Sequence, residues 1–241
     1  MGTLDLTTPR TARLRDEARL LRTLRRDGIE LCSRQVPREP ASGDLVRVVR
    51  RADHRWLVVL GDVMGHGPEA ARIARRLGDH VAARSAGVPR LGDLLASAND
   101  RLFELTDGER FASLLLLELD GRHGTFRIAN AGQVEPLAVG RAGGVVAIGG
   151  HGPALGVVSE APYRESGPVR LARGMILSAV TDGVTDALDE RGRRFGRERL
   201  ATALAGERTL GPRAVVRRVL REVEEHATEH DDRSIVAFRF V

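Results

Sequence analysis

Only five residues, Asp120-Gly121-Arg122-His123-Gly124, separate the apolar run 111–119 from the next, Thr125–Ala131. A connection that short, rich in Asp and Gly, reads as a hairpin and makes the two runs antiparallel strands. Helical patterns flank this hairpin in pairs. Residues 68–83, with Pro68 suited to a first helical turn, and residues 91–105 form one pair. Residues 197–204 and 214–228 form the other, the latter carrying Val216, Val219, Val223 and Ala227 on one face. Strands are predicted at Ile29–Val36, 54–63, 175–180 and 234–240, with two short ones within 136–148 around Ala142-Gly143-Gly144. Strict βαβ alternation is absent, so the expectation is an α+β fold of mainly antiparallel sheets covered by helices.

No linker-like stretch or repeat divides the chain, so residues 29–241 read as one domain. Ahead of it, residues 11–26 place Leu14, Ala18, Leu21 and Leu24 at helical spacing and stop at Asp27-Gly28. This predicts an N-terminal helical segment within residues 1–28. A helix this short is marginal alone, so its stripe must pack on its own domain or on a second copy, as a homodimer contact.

A hydrophobic fraction of 42% is enough for a core, and with 3% aromatics that core must be aliphatic. All 38 basic residues are arginines, interleaved with 33 acids, and no block of like charge marks a nucleic-acid surface. Cys32 is the only cysteine, which excludes an internal disulfide and a cysteine-built zinc site. No signal peptide and no run of 18 apolar residues is present, so a cytoplasmic setting without a membrane partner is expected.

Four acids share one kind of position. Asp44 follows Ser42-Gly43 before the apolar-leaning residues 45–49; Asp62 ends a strand; Asp182 follows the strand 175–180; Asp231, paired with Asp232, precedes the last strand. Each alone reads as a cap or turn residue. If the strands are neighbours, however, the four carboxylates converge and raise one another's pKa, a cost that a cation removes. An all-oxygen donor set suits Mg²⁺ or Mn²⁺. A competing reading takes Gly65-His66-Gly67-Pro68-Glu69-Ala70 as a dinucleotide fingerprint. An acid beside that loop would repel a pyrophosphate, and no second acid-ended strand follows about 20 residues on. The chain has neither a P-loop lysine nor a Gly-x-Ser-x-Gly elbow. Cys32 falls in a probable strand and reads as a core residue.

Taken in order, these segments resemble the PPM-type (protein phosphatase 2C-like) metal-dependent Ser/Thr phosphatases, in the branch typified by SpoIIE and RsbU. The branch pattern G-D-V-S-G-H-G stands here as Gly61-Asp62-Val63-Met64-Gly65-His66-Gly67, and G-G-D-F-Y-D as Ser42-Gly43-Asp44-Leu45-Val46-Arg47. A-N-A-G-H-x-P-P-L stands as Ala129-Asn130-Ala131-Gly132-Gln133-Val134-Glu135-Pro136-Leu137, and G-x-P-L-G as Gly152-Pro153-Ala154-Leu155-Gly156. T-D-G-V-T-E-A stands as Thr181-Asp182-Gly183-Val184-Thr185-Asp186-Ala187, and the terminal D-D-x-[ST] as Asp231-Asp232-Arg233-Ser234.

The resemblance implies an αββα sandwich with two Mn²⁺ or Mg²⁺ ions at one edge. The ligands would be Asp44, Asp62, Asp182, Asp231 and the Val63 carbonyl. Asp62 and Asp182 would be catalytic through metal-held water, and His66 is a candidate general acid that could equally serve the backbone of its turn. The implied substrate is a phosphoprotein of a bacterial partner-switching system, such as an anti-sigma-factor antagonist or another STAS-domain protein. Arg47, Met64 and Gln133 depart from the pattern, where the family has an acid, a serine and a histidine. A silent, phosphoprotein-binding pseudophosphatase is therefore the main alternative, and a nucleotide-binding protein the lesser one.

Overall fold

The apolar run before Asp62 is strand β4 (Trp56–Val63) in the computed structural model, which describes residues 22–140, 142–150, 152–206, 211–228 and 231–241. Residues 56–60 are all buried, which a strand achieves only with cover on both faces. Leu57 and Val59 face a layer of helices, whereas Trp56, Val58 and Leu60 face a second sheet. The period of two along a strand thus divides one apolar run between two separate cores.

Five strands form the sheet around β4, in the order β3 (Asp44–Arg50), β4, β5 (Ala112–Asp120), β6 (Thr125–Ala131) and β9 (Glu165–Arg170). The other sheet runs β1 (Arg22–Arg26), β2 (Ile29–Val36), β11 (Arg233–Phe240), β10 (Ile176–Val180), β7 (Leu137–Val139) and β8 (Val145–Ala147). Each of these neighbouring pairs is antiparallel, as the short hairpin predicts.

Helices α1 (Gly67–Arg84) and α2 (Leu91–Thr106) cover the five-stranded sheet. On α1 the buried set Ala70, Ile73, Ala74, Leu77 and Val81 follows the helical period, and Pro68 sits in the first turn. A single turn, α3 (Asp182–Thr185), follows β10. Helices α4 (Gly196–Gly206) and α5 (Pro212–His226) cover the six-stranded sheet, with Val215, Val216, Val219 and Val223 of α5 buried on it. The architecture is the expected αββα sandwich. Its central layer holds Phe126 from one sheet edge-on to Phe238 from the other, ring centroids 6.1 Å apart.

Two elements differ from expectation. Arg22–Arg26, the end of the predicted N-terminal helix, is strand β1, paired with β2 from Arg26↔Ile29 to Arg22↔Ser33. Asp27 and Gly28 both have positive φ, 51° and 76°, so the pair is a tight hairpin turn and not a helix stop. Leu24 packs on the layer between the sheets. The rest of that prediction, including Leu14, Ala18 and Leu21, lies outside the described residues. Strand β9 has no apolar alternation, is largely exposed and contains Pro168, as an edge strand tolerates.

The contact between Phe126 and Phe238 ties the two sheets together. Phe238→Ala should cost about 3–5 kcal/mol, the usual range for deleting a buried aromatic side chain. Urea denaturation checks this; a midpoint shift equivalent to under about 1 kcal/mol would mean that the sheets are held elsewhere.

Candidate metal centre

Antiparallel pairing of β3 with β4 sets Asp44 directly opposite Asp62. Both lie on the face toward the second sheet, in line with Val46 and Leu60 of the central layer. At the same end of the sandwich β10 stops before Asp182 and β11 starts after Asp231. The four strand ends therefore meet at one rim.

Asp44 is 6% exposed, and its Oδ2 accepts a 3.0 Å hydrogen bond from the Thr181 hydroxyl. Its Oδ1 is buried without a partner. Burial, followed by the Asp62 charge, holds this carboxyl well above the usual range. Asp62 is pushed up to about 7 by burial and then by Asp182, Asp231 and Asp232. Asp182 stands exposed at the rim, yet the protein around it raises its pKa, with Asp186 and then Asp231 adding to the effect. Asp231 is exposed and accepts the Asp232 N–H at 2.8 Å.

Gly43 leaves a space that oxygens line. A Cβ there would lie 2.7 Å from the Val63 carbonyl oxygen, 3.1 Å from Asp62 Oδ1 and 3.2 Å from the Gly65 carbonyl oxygen. Among the described residues, no group of three or more His, Cys, Asp or Glu side chains stands close enough to form a ready cage for an ion. The donors nevertheless fit a hard cation. They are all oxygen, one buried carboxylate oxygen lacks a partner, and a carboxylate and two carbonyls border one gap.

Supporting residues escaped the sequence reading. The buried Asp232 carboxylate accepts backbone N–H bonds from Arg38 (2.8 Å) and Gly43 (2.9 Å), which clamps the loop leading into Asp44. The Thr181 hydroxyl accepts the Ser234 N–H at 2.9 Å and gives its proton to Asp44, joining β10, β11 and β3. Arg110 donates to the Met64 carbonyl (2.9 Å) and pairs with Glu69 (2.6 Å), bracing the turn after Val63. An acid doublet hinted at Asp232, and Thr181 opened the T-D-G-V-T-E-A motif without a role assigned to it; nothing local pointed to Arg110.

His66 precedes α1 with its side chain 80% exposed, and its Nδ1 is 3.9 Å from Glu39. The departures from the resemblance fall into place. Arg47 lies against Gly78 of α1 and pairs with Asp79 at 3.5 Å, away from the rim. Gln133 is buried, donating to Ser113 Oγ (3.0 Å) and accepting from the Val134 N–H (2.8 Å), so it ties the connection from β6 to β7, which crosses from one sheet to the other, onto β5. Met64 is exposed. The antiparallel sheet around β4 removes the dinucleotide reading, which needs a parallel βαβ unit.

Two antiparallel sheets between helix pairs, with acids gathered at one end of the seam, define the protein phosphatase 2C-type class of domain. The family profile of Stage II sporulation protein E (SpoIIE) matches residues 52–241, and the chain belongs to that family. Comparison with curated protein sequences finds no match. Among solved structures, the RsbU and RsbW domains of a Mycobacterium tuberculosis protein align with TM-score 0.73 and 21% identity, over 92% of this chain and 61% of that one. The SiaA-PP2C domain of Pseudomonas aeruginosa aligns with TM-score 0.75 and 23% identity, over 88% and 86%. RsbX in complex with magnesium aligns with TM-score 0.68 and 13% identity, over 92% and 100%. At these identities the likeness is one of fold.

The raised carboxyl of Asp62 carries a sign. Its folded pKa, about 7, exceeds the ordinary 3.8, so the folded state holds the proton more tightly. Its contribution to stability in chelator should therefore fall as pH rises between those two values. Asp62→Asn should flatten this slope and melt no lower than the wild type at pH 8. Thermal melts in EDTA at pH 5 and pH 8 measure both; a large loss of stability in Asp62→Asn would make the residue structural.

Proposed function

We propose that the chain is a metal-dependent phosphoprotein phosphatase that hydrolyses Ser/Thr phosphomonoesters. Asp44, Asp62, Asp182, Asp231 and the Val63 carbonyl would hold two Mn²⁺ or Mg²⁺ ions. The observation that carries this reading is the crowding of acids at the seam, with Asp62 raised to about 7 and Asp44 Oδ1 buried without a partner. Such ions supply neutralisation of phosphoryl charge and activation of water near neutral pH. Metal binding in relatives supports it, since RsbX is described in complex with magnesium.

The chain's own residues supply positioning. Thr181 fixes the Asp44 carboxylate, Asp232 fixes the loop before it, and Gly43 keeps the oxygen-lined gap open. His66 is placed to meet solvent and an entering substrate, and its role as general acid belongs to this proposal. Cys32 is buried beneath the helices of the six-stranded sheet, so it cannot act as a nucleophile.

The physiological substrate we infer is a phosphorylated regulator of a bacterial partner switch, such as an anti-sigma-factor antagonist or another STAS-domain protein. Membership of the SpoIIE family supports this, as does the fold shared with a structure containing RsbU and RsbW domains. A cytoplasmic site of action suits that substrate, and among the described residues no helix is long and apolar enough to cross a membrane. The catalytically silent alternative is weaker. Arg47 packs on α1, Gln133 holds the connection between the two sheets, and no rim acid is missing.

Hydrolysis of p-nitrophenyl phosphate tests the reading. Turnover should require Mn²⁺ or Mg²⁺, survive thiol alkylation, and fall by about 10²–10³-fold in Asp62→Asn or Asp182→Asn, as when one preorganised electrostatic group is removed. Gly43→Ala should cause a comparable loss, because its methyl group would lie 2.7 Å from the Val63 carbonyl oxygen and must displace it. Activity indifferent to EDTA and lost on alkylation would overturn the mechanism.

A further inference from the structure

Among the described residues, six large apolar side chains are exposed, and four of them gather beside the acid rim: Met64 (36%), Phe111 (48%), Val157 (59%) and Val158 (46%). Backbone pairing brings them together. The Met64 N–H donates to the Phe111 carbonyl at 3.0 Å, and Ala112 exchanges hydrogen bonds with Leu155 at 3.0 and 2.8 Å. Gly156 packs so closely on Arg110 and Phe111 that a Cβ would sit 3.2 Å from the Phe111 Cα. The patch starts one residue from Val63, whose carbonyl borders the gap at Gly43.

The loop is held in this exposed form by a buried polar device. Asn99 of α2, 1% exposed, donates its amide to the carbonyls of Val158 and Ser159, both at 3.0 Å. Its Oδ1 accepts the Gly156 N–H at 2.8 Å. A fold that spends a buried side chain to present two valines to water has made a preorganised apolar surface. The neighbouring cation is already committed, because Arg110 is bonded to Glu69 and the Met64 carbonyl, while Glu109 and Glu160 at the patch border are exposed. With its cation engaged and acids at its border, the patch suits an apolar ligand better than an anionic one. Met64 also stands where the family pattern has a serine, so the apolar character is this chain's own departure.

We propose that Met64, Phe111, Val157 and Val158 form a docking surface for apolar residues flanking the phosphorylated Ser or Thr of the protein substrate. This rests on the phosphatase reading and adds a selectivity to it. A phosphoryl group placed at the rim lays its neighbouring residues, 3.8 Å apart along the chain, over the adjoining surface. Met64 is the patch residue nearest in sequence to Val63.

The test compares two fluorescein-labelled phosphoserine peptides, one flanked by Leu and Val and one by Ser and Gly, with p-nitrophenyl phosphate as the small substrate. Wild-type kcat/KM should favour the apolar peptide by about tenfold, the lower end of what a side-chain pocket discriminates. Phe111→Ser with Val158→Ser should reduce that ratio to about twofold or less, with far less effect on p-nitrophenyl phosphate. Phe111→Leu with Val158→Ile should keep the preference, and Val157→Ser alone serves if the double variant does not fold. Equal rates for the two peptides, or a preference that survives the double variant, overturn the surface while leaving the phosphatase intact. A change in sedimentation mass without a change in preference assigns the patch to a second copy and also overturns it. If no phosphoester is hydrolysed, the phosphatase reading fails by itself, and fluorescence anisotropy of the same peptides decides the surface.

Discussion

Asp44 faces Asp62 across the β3–β4 pair, and the rest of this end of the molecule is organised around those two like charges. Their register is not free to change. A slip by one residue would turn Leu45 and Gly61 toward the second sheet and break both apolar layers. The acids are thus held together by the same alternation that buries Val46 and Leu60. The remaining residues temper the crowding without removing it. Thr181 satisfies one oxygen of Asp44 and Asp232 is spent on two backbone amides, while Asp44 Oδ1 has no hydrogen-bond partner.

The αββα layering makes such a site possible. A sheet covered by helices on one face and by another sheet on the other is rigid in its middle, and its strand ends open at the seam. Acids in the middle would be costly to bury. At the rim, Asp182 and Asp231 reach solvent while Asp44 and Asp62 remain partly within the protein. Burial raises the pKa of Asp44, Asp62 and Asp182, and the carboxylate oxygens at this rim stand partly inside the protein and partly in solvent. The turn that follows β4, braced by Arg110, carries the rim onward into the exposed apolar patch.

Much of this was legible in the sequence, and for identifiable reasons. The run before Asp62, the hairpin at residues 120–124 and the stripes on α1 and α5 each report a single local period. The acids were visible because each follows or precedes an apolar strand. Local signals failed where pairing decides. Asp27-Gly28 looks the same after a helix as between strands, so β1 was misread, and β9 has no alternation because both its faces meet solvent. Thr181, Asp232 and Arg110 act on residues 41 to 194 positions away, a separation that no spacing rule reaches. The exposure of Val157 and Val158 was equally hidden, because their loop is held by a hydrogen bond from Asn99 across 59 residues.

Calorimetric titration of Mn²⁺ into the metal-free protein at pH 6, in buffers of differing ionisation enthalpy, tests the central claim most directly. At that pH Asp62, with a pKa of about 7, holds its proton, so binding a cation at the rim must expel it. The account predicts heats that vary with the buffer and correspond to release of about one proton or more, with that release diminished in Asp62→Asn. Binding with no dependence on the buffer, or the same proton release in wild type and Asp62→Asn, would contradict it.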